Sequence, residues 1–169
     1  RGLRIQNKAT QLAKRGDRSA INITGLDLAN VGRGDWLISN PIPQYREITI
    51  ELNVLKDFPR AINQCTPVHV YHATSHTTAH IALHQGSRMA PGNSRLVDLI
   101  CDESLPVCHD DQLVIRDHGL DTTLGGGRVI FAQERISQRR RTPGRLATLT
   151  AYSQPSASAC CKALLDKQA

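Results

Sequence analysis

The sequence lacks the features that would place it in several common classes. It has no run of about 18 apolar residues, the length that a membrane-spanning helix requires, and no basic segment followed by an apolar leader. It also has no G-x-x-x-x-G-K-[ST] segment, the loop whose backbone N–H groups cradle nucleotide phosphates. These absences predict a soluble, cytoplasmic chain without membrane contact that binds no GTP, Mg²⁺ or other cofactor by itself.

The five cysteines contain no C-x-x-C pair. An odd number without that spacing indicates neither a disulfide framework nor a zinc ribbon, and it favours a reducing compartment. Cys101 lies in an apolar run and is predicted to be a small core residue. The adjacent Cys160 and Cys161 lie in a Ser/Ala-rich tail and are assigned no role.

The charge balance points to a polyanionic partner. The chain has 21 lysines and arginines against 15 acidic residues, a net charge of +6. Arginine predominates, and its planar fork matches phosphate oxygens and stacks on bases, which favours RNA. A basic surface without a partner is the alternative.

Apolar residues recur mainly with a period of two, which predicts short strands. Turn signals rich in Gly, Pro, Asn and Asp separate these segments, and the combination is typical of an antiparallel barrel or sandwich. The predicted strands cover residues 1–7, 18–24, 46–55, 68–73, 79–84, 95–101, 112–117 and 128–133.

Two prolines, Pro41 and Pro43, mark the best internal boundary, because neither continues a central strand. We therefore predict one domain over residues 1–40, a second over 44–134, and a basic linker with a short helical tail over 135–169. The tail is too short to bury a face alone, so we expect its packing partner to lie outside the sequence. Because the chain begins with Arg1 inside a predicted strand, we expect a fragment whose first domain is truncated.

Four histidines recur at every fourth position, which on a helix would place four imidazoles on one face and indicate a metal site. The flanking residues alternate as strands instead, so we predict no metal and expect hydrogen bonds from His69, His72 and His76 at a barrel rim. A free-standing β-barrel metal-binding protein remains an alternative. The four are His72, His76, His80 and His84.

No catalytic group is predicted. Asp110 and Asp111 lie in a turn, and the Ser75–His76 pair has no orienting acid at a recognisable spacing. The expectation for this chain is therefore a binding module and not an enzyme.

Two blocks of sequence resemble selenocysteine-specific elongation factors (SelB). Residues 1–7 (RGLRIQN), 15–25 (RGDRSAINITG) and 31–37 (VGRGDWL) are similar to the end of the second domain of that family. The glycines suit hairpin turns, and Trp36 can close one end of a small barrel. Residues 69–76 (HVYHATSH), 113–117 (LVIRD) and 122–130 (TTLGGGRVI) are similar to its third domain. Within the last segment, Gly125–Gly127 is interpreted as a close-packed or bulged strand entry.

The resemblance implies an all-β fold of two small antiparallel barrels of the translational-GTPase type, the first one truncated. It implies a parent GTPase, with GTP and Mg²⁺ held elsewhere, that carries selenocysteinyl-tRNA to the ribosome at recoded UGA codons. The other expected partner is a selenoprotein mRNA hairpin, contacted through C-terminal domains beyond this sequence, and the protein is expected to be a monomer. Barrels of an elongation factor Tu-like or initiation factor 2-like protein are the alternative.

Residue roles follow from the same resemblance. Arg18 matches a family arginine that lines the pocket for the selenol of selenocysteine, and an anionic selenolate requires a cation nearby. Basic residues of the second barrel and the linker are the candidates for contact with the tRNA backbone. These are Arg116, Arg128, Arg139, Arg140 and Arg141.

Overall fold

A computed structural model describes residues 2–119, 122–133 and 142–166. The chain divides into two compact units, Arg1–Asp35 and Trp36–Ala169. The domain limits drawn from the sequence, with a boundary at residues 41–43, stay a prediction.

The first unit contains a three-stranded antiparallel sheet of β1 (Gly2–Ile5), β2 (Lys8–Thr10) and β3 (Ser19–Asn22), with β1 in the middle. A single 3-10 turn, Leu28–Asn30, follows. The sequence pattern predicts one strand over residues 1–7, whereas β1 ends at Ile5. The reason is that Gln6 and Asn7 adopt positive φ angles of 49° and 65° and turn the chain into β2.

The second unit is a closed, antiparallel six-stranded barrel with the order β10-β11-β4-β9-β7-β6. Its ladder closes where β6 pairs with β10. Two very short strands form a separate ladder beside it. The strands are β4 (Gln44–Val54), β5 (Ile62–Asn63), β6 (Thr66–His72), β7 (Ser75–Leu83), β8 (Arg88–Met89), β9 (Ser94–Pro106), β10 (Gln112–Asp117) and β11 (Thr123–Gln133).

The period-two pattern explains the barrel core. Every second side chain of a strand points inward, and these inward positions are the apolar ones. Cys101 is among them, as its sequence context predicts. The core includes Ile48, Ile50, Leu52, Val68, Val70, Ala79, Ile81, Leu83, Val97, Leu99, Leu113, Ile115, Leu124 and Val129. The all-β class with a closed antiparallel barrel and a short helical tail is thereby confirmed.

Two glycines allow β11 to approach β4 closely. A Cβ atom on Gly125 would lie 2.1 Å from the carbonyl oxygen of Asn53, and one on Gly127 would lie 2.6 Å from Cδ1 of Ile50. The interpretation of this segment as close-packed strand is confirmed. A side chain at position 125 would push β11 away from the backbone of β4, whereas one at position 127 would displace the end of the Ile50 side chain.

Two helices follow the barrel, α1 (Pro143–Tyr152) and α2 (Ala157–Leu165). The expectation that the tail has no packing partner in the sequence is wrong, because Leu149 and Ala151 of α1 are buried and the Tyr152 ring stacks on Phe131 of β11 at 5.5 Å. The barrel supplies the apolar surface that the short helix lacks alone. Across the described residues, neither helix reaches the length and apolarity of a bilayer-spanning segment.

Candidate nucleic-acid interface

Arg18 lies in the first unit, immediately before β3. The preceding turn is fixed by Asp17, whose carboxylate accepts a hydrogen bond from the backbone N–H of Lys14 at 2.7 Å, and Gly16 takes a φ of 94°. Arg18 is exposed. The turn therefore presents the guanidinium to solvent at the edge of a strand, a position from which it can meet an anionic ligand.

Arg116 and Arg128 both lie in the barrel but in different surroundings. Arg116 of β10 is the Cα partner of His69 in the ladder with β6, so the two side chains stand side by side on the outer face. Arg128 of β11 donates to Asp110 at 2.7 Å, to Glu51 at 3.2 Å and to the carbonyl of Ser153 at 2.8 Å. Hydrogen bonding to Asp110 raises the pKa of Arg128 against the opposing effect of burial.

These contacts give Arg128 a structural role, because they connect β11 to the C-terminal end of α1. Contact of Arg116 or Arg128 with a tRNA backbone stays a prediction. Arg139, Arg140 and Arg141 lie outside the described residues.

The four regularly spaced histidines lie on or beside strands and do not share one face. His72, at the end of β6, faces the barrel interior, and its Nε2 lies 3.2 Å from Asp111. His76 and His80 are exposed on β7, whereas His84 is buried under α1. Among the described residues, no three His, Cys, Asp or Glu side chains are placed to hold a metal ion.

Trp36 is half-buried against the β6–β7 hairpin of the six-stranded barrel. Its ring lies 5.0 Å from that of His72, and its indole N–H donates to Ser75 Oγ at 3.0 Å. The sequence places Trp36 in the first barrel, but these contacts are with the β6–β7 hairpin of the second unit.

A cluster of ring side chains occupies the outer face of the barrel where β6, β7 and the end of β10 meet. We call His69, Tyr71, His76 and His118 the ring cluster. His69 and His118 lie 4.6 Å apart between ring centroids, and the imidazole of His76 stacks on Tyr71 at 5.3 Å with an interplanar angle of 24°. His118 Nδ1 and His69 Nε2 are 2.9 Å apart, a hydrogen bond between the two rings.

The ring cluster and Arg116 together form a surface suited to a nucleic-acid backbone. Imidazole and phenol groups present N–H and O–H donors to phosphate and ribose oxygens, and a guanidinium supplies the positive charge. Sequence reasoning singled out His69 and His76 but missed Tyr71 and His118. His118 is 49 residues from His69, and only the register of β6 against β10 brings them together.

A buried polar network holds α1 against the side of the barrel. Arg145 donates to Asp98 at 2.8 and 3.2 Å, Thr49 donates to the same carboxylate at 2.6 Å, and His84 Nε2 lies 3.2 Å from it. Burial alone would raise the pKa of Asp98, but hydrogen bonds from His84 and Arg145 outweigh it and lower the pKa to about 2. The sequence assigns Arg145 to a basic linker, whereas the structure uses it as a structural anchor.

A cavity of about 580 Å³ lies between the barrel and the helices, lined mainly by apolar groups that include Tyr45, Phe131 and Tyr152. Cys108, Cys160 and Cys161 also border it.

The six-stranded barrel matches a domain of a known protein family. Residues 47–135 match the family model of the β-barrel domain of selenocysteine-specific elongation factors. The chain belongs to the selenocysteine-specific elongation factor family. This confirms the resemblance found in the sequence and disfavours the free-standing metal-binding alternative.

Individual relatives agree with this assignment. The chain is 33% identical over 148 residues to the selenocysteine-specific elongation factor of Haemophilus influenzae, covering 86% of this chain and 23% of that protein. It is 32% identical over 133 residues to the Escherichia coli factor, covering 78% of this chain and 20% of that protein. The chain thus spans between a fifth and a quarter of these relatives.

A solved structure shows the same fold. The crystal structure of a bacterial selenocysteine-specific elongation factor superposes with a TM-score of 0.70 at 18% identity, covering 96% of this chain and 25% of the other. At that identity the likeness concerns the fold alone.

Proposed function

We propose that this chain is the barrel portion of a factor that binds selenocysteinyl-tRNA and delivers it to the ribosome at recoded UGA codons in a GTP-dependent way. The observation that carries the proposal is the family match over residues 47–135. The net charge of +6 of the whole chain and the ring cluster on the outer face of the barrel suit an RNA partner.

The parent protein is proposed to be a GTPase. GTP and Mg²⁺ would be held by another part of it, because this sequence contains no G-x-x-x-x-G-K-[ST] segment. A selenoprotein mRNA hairpin is the further proposed partner, contacted through parts of the protein beyond this sequence. The cytoplasm, where translation takes place, is the proposed location.

Arg18 is the residue proposed to make the factor selective for selenocysteine. A selenolate is anionic at neutral pH, whereas the hydroxyl of a serine on the same tRNA is neutral. Only the charged group gains from a guanidinium nearby, and a hydrogen bond to a charged group contributes about 1.5 to 3 kcal/mol, or roughly ten- to a hundredfold in affinity.

The test measures GTP-dependent binding of selenocysteinyl-tRNA and seryl-tRNA to the full-length protein that carries this sequence. Arg18→Ala should weaken the first far more than the second, and Arg18→Lys should restore part of the loss because the charge remains. Arg15→Ala, which removes an exposed arginine from the same turn, is the matched control and should change neither. Equal binding of both tRNAs by the unmodified protein would favour a barrel of the elongation factor Tu-like kind.

A further inference from the structure

Three cysteines from two separate segments of the second unit border the same cavity of about 580 Å³. Cys108 lies in the loop between β9 and β10, residues 107–111, whereas Cys160 and Cys161 lie in α2. All three are free thiols. The fold therefore places a thiol of the barrel and the thiols of the helical tail around one space, which the sequence alone does not indicate.

The β9–β10 loop holds Cys108 in a defined position. Its backbone N–H donates to the Asp111 carboxylate at 2.7 Å, and its carbonyl oxygen accepts a hydrogen bond from the Asp111 N–H at 3.2 Å. Cys108 is exposed, so a small oxidant in solution can reach its sulfur atom. Exposure favours the oxidation of a cysteine, because the oxidant must contact the thiolate.

Cys160 lies on the inner face of α2, and Cys161 does not. Successive side chains of an α-helix diverge by about 100°, so two adjacent cysteines cannot both face the cavity in the same way. Cys161 is exposed, whereas Cys160 belongs to the half-buried face of the helix. The half-buried residues of that face are Ala159, Cys160, Ala163 and Leu164.

The helix α2 is held weakly enough to move towards the loop. Over its described length it contains no fully buried residue, and its first turn is capped by Ser156, whose hydroxyl accepts a hydrogen bond from the Ala159 N–H at 3.2 Å. A segment with few buried contacts shifts or opens locally at a low cost in free energy. A shift that narrows the cavity also removes apolar surface of Tyr45 and Phe131 from water, which is favourable.

We propose that Cys108 and Cys160 form a reversible disulfide when the protein is exposed to hydrogen peroxide, and that this bond clamps α2 onto the barrel. A disulfide holds two Cα atoms within about 7 Å of each other, so it would fix the helix against the β9–β10 loop and narrow the cavity. Disulfides of reducing compartments are usually transient and redox-sensing, which is the character of this bond. The inference goes beyond the proposed function and does not depend on it.

The reaction consumes one peroxide and releases two water molecules. The Cys108 thiolate attacks one peroxide oxygen, the O–O bond breaks, and the departing hydroxide takes up the proton that the thiol has lost. The Cys160 thiolate then attacks the sulfur of the sulfenic acid, the S–S bond forms, the S–O bond breaks, and the second hydroxide leaves as water with the Cys160 proton. The two sulfur atoms lose two electrons and the peroxide gains them. A small thiol reverses the step by disulfide exchange.

The experiment maps the disulfide in the full-length protein that carries this sequence. The reduced protein is treated with hydrogen peroxide, the remaining thiols are blocked with iodoacetamide, and the protein is digested with trypsin and a protease that cleaves after glutamate. Cleavage after Glu103 separates Cys101 from Cys108. Mass spectrometry without reduction should find the Cys108 peptide linked to the peptide that contains Cys160, and dithiothreitol should release it.

Variants identify the partner of Cys108. Cys160→Ser should abolish the link, and Cys161→Ser should keep it. Cys65→Ser, which removes an exposed cysteine from the β5–β6 turn away from the cavity, is the matched control and should also keep it. Hydrogen exchange measures the clamp: the amides of α2 should exchange about tenfold more slowly, or slower still, after oxidation. Peroxide should leave this exchange unchanged in Cys108→Ser.

The opposite results are equally clear. A Cys108 that is oxidised to sulfenic or sulfinic acid without a link, a link that persists in Cys160→Ser, or a product that joins two copies of the protein would overturn the inference. A link without slower exchange in α2 would show that the bond forms and does not clamp the helix, and the proposal would again be wrong. Because tRNA binding is not part of this measurement, the proposed function is unaffected by any of these results.

Discussion

The guanidinium of Arg145 on α1 donates to both carboxylate oxygens of Asp98 on β9, at 2.8 and 3.2 Å. Asp98 is 1% exposed. A carboxylate so deeply buried is stable as an anion only while its donors remain, so this pair links the position of the helix to the integrity of the barrel wall.

Arg145→Met is expected to destabilise the protein by about 3 kcal/mol, because it leaves the Asp98 charge buried without its main cationic partner. The free energy of unfolding in urea, followed by fluorescence of Trp36, the single tryptophan of the sequence, measures the loss. Arg46→Met, at an exposed position of β4, is the control and should lie within about 0.5 kcal/mol of the unmodified chain. A loss as small as that of the control would mean that the pair contributes nothing to the barrel.

Protonation of the Asp98 carboxylate should destabilise the native state in acid. The pKa of Asp98 is lowered from 3.8 to about 2 on folding, so its ionised form stabilises the native state above about pH 4. That contribution, about 2 kcal/mol, is lost as the pH falls from about 4 towards 2. Urea midpoints, measured at intervals of half a pH unit, should decrease as the pH is lowered through this range. The decrease should be smaller in Asp98→Asn. An identical pH profile for the variant would rule out Asp98 as the cause.

The glycines of β11 allow a comparison in which one methyl group is added at different places. Gly125→Ala should cost about 3 kcal/mol or more, because the new atom meets the backbone of Asn53. Gly127→Ala should cost less, since its neighbour is the flexible end of Ile50. Gly144→Ala, on α1 with open space around it, should be neutral or stabilising by up to about 1 kcal/mol. Thermal unfolding of the three variants measures their relative stabilities and so tests this order.

Buried and exposed cysteines should react with alkylating reagents at different rates. Burial, with a contribution from the nearby charge of Asp102, raises the pKa of Cys101 to about 12, whereas Cys161 is exposed. Since the thiolate is the reactive form, iodoacetamide at pH 7.5 should label Cys161 quickly and Cys101 only after unfolding. Peptide mass spectrometry measures both. Labelling of Cys101 at a comparable rate in the native protein would contradict its placement in the core.

Sequence patterns predicted a strand within each of the six barrel strands, although most of the limits differ from those observed. Residues 112–117 were predicted with the observed limits, because a short apolar, β-branched run follows a turn signal there. β5 and β8 contain two residues each, too few to show a period, and were missed. Strand β9 was predicted to end at 101 but continues to Pro106, beyond the apolar run.

The candidate site was only partly accessible to sequence reasoning. Arg116 and the histidines were recognised as candidate site residues, because charge and sequence motifs are local properties of the chain. The ring cluster and the Arg145 anchor depend on pairing between residues that are 47 to 49 positions apart. A run of arginines has the same sequence appearance whether a member is solvated or buried against a carboxylate, so only the packing of α1 distinguishes Arg145 from its neighbours.

The pairing of β6 with β10 closes the ladder of the six barrel strands. Each of those strands has a hydrogen-bonded neighbour on both sides, so the ladder has no terminal strand with unpaired backbone groups to recruit an extended segment from another molecule. Substitution of an outward side chain on these six strands leaves the ladder closed and so exposes no backbone edge through which copies of the protein could aggregate.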